Sequence, residues 1–400
     1  MKHFSFSFLA AGVALAAMIV SCGPKKLSDR QILELIYNST GGPEWSEYDQ
    51  DGWLVEEDLN DWHGVKVNEE GRVIELRLEE PKGIIPAEIG DLTELEKLYI
   101  YCKNSSSDGD PENPLPLSIS KLSKLRKLEL YCGGVSCQAP SLMEMPDLET
   151  LILTLDGAEY PEDIASRNLT TLRLCDFTGV LPAWIYEQPA LEELYVYTSE
   201  LKGGLAPEVG NLYNLTELHI DNSQFIGAVD APDSDLPAAE IFDNLKSLKY
   251  LFLRRCSTSG VLPESIGDMP ELKSMILCDL GLTGELPKQL GDLPKIETLE
   301  IYENELTGQI PPELFNATTL KQLWLQRNHL TGPLPKEIGN LVNLESIYIA
   351  NNELSGTIPA EMSKCTKLGK GVFNDFSGNQ FSPDIPAQVQ AMERFSEFKF

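Results

Sequence analysis

The sequence predicts an α/β solenoid: a coil of short repeats with a parallel sheet on the concave side and 3₁₀ turns or extended chain on the convex side. Three observations predict it. Similar segments recur at a fixed interval, with LKSMILCDL, IETLEIYEN, LKQLWLQRN and LESIYIANN beginning at 272, 296, 320 and 344. Each carries the pattern L-x-x-L-x-L-x-x-N, in which strand alternation turns the leucines of L-x-L inward and their neighbours outward. Proline recurs in the second half of each unit, as in ELPKQL, QIPPEL, PLPKEI and TIPAEM. It fixes φ and removes a donor, so no long helix can form there.

The elements follow in chain order. Lys2 and His3 precede the apolar stretch Phe4 to Val20, which reads as a targeting segment and is marginal in length for crossing a membrane. The run Ile19-Val20-Ser21-Cys22-Gly23 resembles a bacterial lipobox. That resemblance implies removal of residues 1–21 and lipidation of Cys22. The chain would then be anchored to a membrane in the envelope of a Gram-negative bacterium without spanning it. No Asp directly follows Cys22, which in lipoproteins favours the outer membrane, with the side it faces left open.

Residues 22–72 read as a linker and cap. Leu27, Ile32, Leu35 and Ile36 have the spacing of a short amphipathic helix, ended by Gly41-Gly42. Trp45, Trp53 and Trp62 surround the phrase DWHGVKVNEEGRVIELRL, which leads through a hairpin into the first repeat. Thirteen repeats then occupy residues 73–386, starting at 73, 95, 125, 148, 169, 191, 215, 248, 272, 296, 320, 344 and 371. Each coil buries its leucines only against the next, so stability is shared along the array. The ninth-place Asn is expected to satisfy buried backbone at the turn, running up the stack as a ladder. Val389, Met392, Phe395 and Phe398 then close the other end within residues 387–400.

The phrases LTGELPKQLGDLP, LTGQIPPELFNAT, LTGPLPKEIGNLV and LSGTIPAEMSKCT resemble the plant-type leucine-rich repeats of receptor-kinase ectodomains, here in a bacterial lipoprotein version. The resemblance covers roughly residues 73–386 and is strongest over 272–367. It implies a right-handed solenoid that binds ligands and does not catalyse. The family tolerates Cys at the ninth place, so Cys256 is expected to be a buried structural thiol. The cap phrase is similar to the family's N-terminal caps, but their cysteine pair is missing, so tryptophan packing must close that end.

A formal charge of -30 argues against nucleic acid and anionic lipid surfaces, which need basic patches. The outward places of successive strands supply the candidate ligand-binding residues: Tyr99, Tyr101, Tyr131, Tyr195, Tyr197, His219, Phe252, Arg254, Tyr302, Trp324 and Tyr348. Tyr and Trp combine large contact area with a polar handle. Arg173, Arg255 and Arg327 add cationic partners. A protein or peptide ligand is the expected partner, a glycan is the alternative, and a structural role in an envelope assembly is the third. Aromatics also favour strands for packing reasons alone. Two irregular loops, Lys103 to Pro114 and Asp230 to Glu240, add departures that often mark function in solenoids.

Seven cysteines follow Cys22. Cys102 and Cys132 take the same place in adjacent repeats, within disulfide reach at the ordinary strand spacing, with Cys132 and Cys137 as the rival pair. Glu47, Asp49, Asp51, Gly52 and Asp58 echo a calcium loop only loosely, and no metal or cofactor is expected. His63, His219 and His329 offer no dyad: His219 and Cys175 lie two repeats apart.

Overall fold

A computed structural model of the chain describes residues 26–81, 83–102, 116–132, 142–155, 159–201, 206–222, 245–255, 260–369, 374–393 and 395–400. The targeting segment with Cys22, both irregular loops, Cys137 and Cys256 lie outside the described residues.

Leucine alternation builds one long sheet. Fourteen strands among the described residues follow one another in sequence order, from Val65–Val67 to Asn374–Asp375. The first pair, Val65–Val67 with Val73–Glu79, is an antiparallel hairpin. Every later pairing in this sheet is parallel, as only a coil that advances one strand per turn allows. The register is that of the repeat: Met275 pairs with Leu299, Leu299 with Leu323, and Leu323 with Ile347. Equal places therefore align into columns across the face. The inward column is completely buried.

On the convex side each turn starts at the repeat's proline. Pro287, Pro311, Pro335 and Pro359 sit at the N-caps of the 3₁₀ turns Lys288–Asp292, Pro312–Asn316, Lys336–Asn340 and Ala360–Lys364. The glycines of I/L-G-x-L allow these turns to touch. A Cβ on Gly291 would lie 1.9 Å from the Glu313 carbonyl oxygen, and one on Gly339 would lie 2.7 Å from that of Glu361. The L-T/S-G phrases add two three-stranded side sheets, one from Gly260–Val261 to Glu305–Thr307 and one from Thr331–Pro333 to Gln380–Phe381.

The asparagine ladder is real but shorter than the repeat pattern implies. Asn328 donates to the Ile301 carbonyl at 2.9 Å and accepts from the Leu306 amide at 3.2 Å. Asn304, Asn352 and Asn379 make equivalent pairs. Earlier repeats carry other residues at this place. Phe177 fills it as a fully buried ring stacked on Tyr160.

Both ends are sealed by aromatics. The helix Asp29–Ser39 is held at its start by a capping box between Ser28 and Gln31. The buried carboxylate of Asp29 accepts from Arg72 at 2.9 Å and from the Val73 amide at 2.8 Å, fixing the helix to the first parallel strand. Trp45, Trp53 and Trp62 pack with centroids 5.0 to 5.2 Å apart. Each indole N–H reaches a carbonyl, of Thr40, His63 and Glu56 respectively. The stretch that echoes a calcium loop is part of this cap. Asp58 caps the turn Leu59–Asp61, Asp49 accepts from Ser46, and a Cβ on Gly52 would meet the Asp61 carbonyl. Among the described residues no group of three His, Cys, Asp or Glu side chains is arranged to hold a metal ion. At the far end Val389 and Phe398 join the core, with Phe398 6.3 Å from Phe376.

Candidate ligand-binding face

Because the columns align, outward residues far apart in sequence become neighbours on the concave wall. They gather into three patches.

The first patch is largely self-satisfied. The Arg77 guanidinium lies 4.7 Å from the Tyr99 ring and 5.4 Å from the Tyr101 ring, and Lys127 sits 5.4 Å over Tyr99. Tyr101 and Tyr131 stack at 4.8 Å and 8°, and the Tyr101 hydroxyl donates to Glu129 at 2.8 Å. Tyr99 was expected on the exposed wall and is instead buried, 8% exposed, because cations from the two flanking strands cover its ring. Beside this patch the Cys102 and Cys132 sulfurs stand 2.8 Å apart. Their hydrogen bond holds the Cys102 thiol below its ordinary range.

The central patch has a recess. Arg173 covers one face of Tyr195 at 4.2 Å and pairs with Glu193 at 3.2 Å. The Tyr195 hydroxyl donates to Glu217; burial and that bond keep the phenol protonated. His219 lies 4.0 Å from Phe252 and 4.8 Å from Tyr197, and burial lowers its pKa, favouring the neutral ring. Tyr195, Glu217, His219, Tyr250, Phe252 and Ile276 line a depression of about 260 Å³. On the neighbouring strands Arg254 stands in register with Asp221.

The third patch is formed by Tyr302, Trp324 and Tyr348, with centroids 6.3 Å apart from one ring to the next. Trp324 and Tyr348 meet at 78°, and the indole N–H donates to Ser346 at 3.2 Å. Cys278 hydrogen-bonds Tyr302, and burial pushes its thiol up to about 11. Glu300, in register between Ile276 and Trp324, is a member that the sequence reading did not select. It is only 6% exposed, and burial alone pushes its carboxyl up to about 7. The signal available in the sequence was a lone carboxylate facing outward beside three aromatics.

His63 and His329 lie off this wall. His63 sits in the cap, 3.9 Å from Asp49, and His329 bridges Glu305 and Glu353 at 3.0 and 3.5 Å.

Residues 319–341 and 343–365 match the family described as Leucine Rich Repeat. Among solved structures, the chain is similar to the plant peptide hormone receptor RGFR1 in complex with RGF2. The TM-score is 0.59 at 24% identity, over 76% of this chain and 51% of that one. It is similar to the ectodomain of the Arabidopsis receptor kinase HAESA with an IDA peptide hormone, at TM-score 0.61, 22% identity, and 90% and 59% coverage. The chain is a leucine-rich-repeat solenoid.

The Leptospira interrogans LRR protein LIC12759 also shares the fold, at TM-score 0.52, 24% identity, and 74% and 70% coverage. No curated protein matches the sequence. This solenoid spans between half and three-fifths of the plant receptor chains it resembles. What its inner wall offers chemically is flat aromatic area, hydrogen-bond acceptors and guanidinium groups, arranged on a rigid sheet.

Proposed function

We propose that the solenoid is a non-catalytic binding module that takes a protein or peptide ligand on its concave face. One observation carries this: in-register pairing sets Tyr101, Tyr131, Tyr195, Tyr197, His219, Phe252, Tyr302, Trp324 and Tyr348, all partly exposed, along a single wall. Large amphipathic side chains on a rigid support are the usual energetic anchors of interfaces. Two structural neighbours, RGFR1 and HAESA, were solved with bound peptide hormones, which supports a peptide over other ligands. A glycan is the second reading. It is less favoured because Trp324 and Tyr348 are near-perpendicular and present no coplanar stacking surface.

The test is capture on a peptide array by the wild type and by Tyr195→Ala, Tyr197→Ala, Trp324→Ala and Tyr348→Ala. Each variant should lose tenfold or more in affinity, corresponding to about 1.4 kcal/mol, with circular dichroism unchanged. Capture retained by all four overturns the reading, and binding on a glycan array alone favours the second.

The same reading takes the chain to be exported and lipid-anchored through Cys22, at the outer membrane of a Gram-negative cell envelope. The lipobox phrase supports it. Labelled palmitate should enter the wild type and not Cys22→Ser; equal labelling removes the anchor.

A further inference from the structure

The third patch contains two acceptors that receive no hydrogen bond among the described residues. Glu300 is 6% exposed, and no hydrogen bond or ion pair reaches its carboxyl among the described residues. Gln326 is equally buried, and its side-chain oxygen has no partner. The two lie in adjacent repeats, Glu300 on the strand Thr298–Tyr302 and Gln326 two residues past the strand Gln322–Trp324. Around them stand the rings of Tyr302 and Trp324, 6.3 Å apart. The charges nearby do not neutralise the carboxyl. The Arg327 guanidinium is engaged with Glu303 at 2.7 Å, and Arg254 lies two strands away in the seventh-place column.

Buried acceptors are normally matched. Gln326 Oε1 is left unmatched and the half-desolvated Glu300 carboxyl in the adjacent repeat meets no donor among the described residues, so a donor from outside would satisfy both. The most fitting donor is a cation. An ammonium presents three N–H groups and a guanidinium five, enough to bond a carboxylate and an amide oxygen together. Either cation would also be attracted to the faces of Tyr302 and Trp324. Both gain from the field of a chain with net charge -30.

We propose that Glu300 and Gln326 form the seat for a basic side chain, Lys or Arg, of the ligand bound on the concave face. This rests on the peptide-binding reading above and gives it a chemical specificity. Glu300 accepts from the incoming cation, Gln326 shares it, and Tyr302 and Trp324 flank its aliphatic stem. The elevated carboxyl pKa is consistent with a charge held out of water for want of its partner.

The experiment uses the full-length chain and randomised octapeptides in which one scanned position is Lys, Arg, norleucine or citrulline. At pH 8, capture should favour Lys or Arg over its neutral counterpart by tenfold or more. The variant Glu300→Gln should capture Lys, Arg and the neutral residues alike. Capture without preference for charge overturns the cation seat and leaves the peptide-binding face standing. A preference retained in Glu300→Gln places the cation elsewhere and likewise overturns it. Capture of no peptide overturns both readings together. Should Glu300→Gln fail to fold, the wild-type contrast of Lys with norleucine, and its loss in Gln326→Leu, decides the matter.

Discussion

A carboxyl whose pKa rises from an ordinary 4.5 to about 7 on folding weighs against stability once it must ionise. The folded state holds the Glu300 proton more tightly than the unfolded chain does. The contribution is therefore most favourable below pH 4.5 and is lost as pH climbs through 7. Glu300→Gln does not titrate, so its melting temperature should gain on the wild type between pH 4 and pH 8. Thermal unfolding at the two pH values checks this; a difference that stays constant would mean that Glu300 is not held neutral. The residue also shows where sequence reading ends. An outward carboxylate in a strand normally meets water. Only the register that sets it beside Trp324 shows that aromatic neighbours exclude it. Tyr99 failed for a related reason: the cations that bury it come from two other repeats.

At the scale of the element, the repeat explains itself through its smallest residue. Adjacent 3₁₀ turns approach until a glycine on one faces a carbonyl on the next. Gly291→Ala should destabilise by about 1–3 kcal/mol, as overpacking of a close contact does, measured as a lowered denaturation midpoint. Gly71→Ala has open space around it and should cost less despite its positive φ. Equal costs would show that backbone strain, and not the closeness of the coils, decides. Much of the element scale was legible. The prolines placed the turns, and strand alternation separated buried leucines from wall residues. The asparagine ladder was legible only where Asn recurs, from Asn304 onward; Phe177 in the same place stabilises its coil by apolar filling, which the consensus does not announce. The Ser28–Gln31 capping box is legible as S-x-x-Q before the apolar run of the first helix.

For the whole molecule, each coil touches chiefly its two neighbours, so the ends carry a burden that the middle does not. The tryptophan cluster of the cap closes the N-terminal end by packing. Trp62→Ala should remove about 3–5 kcal/mol of local packing. Its effect should be graded along the array. Hydrogen exchange should quicken in the strands Val73–Glu79 and Lys97–Tyr101 while Gln322–Trp324 keeps its protection. Uniform loss of protection would instead describe a single cooperative globule.

The parallel register also sets a ruler for anything laid across the wall. Rungs recur about every 4.8 Å, whereas an extended peptide advances about 3.4 Å per residue. Tyr195 and Glu300 are four rungs apart, about 19 Å by that spacing. A ligand that fills the central recess and also delivers its charge to Glu300 must therefore carry the two contacting residues about six positions apart. Shorter peptides can occupy one place or the other, and their affinities should not combine.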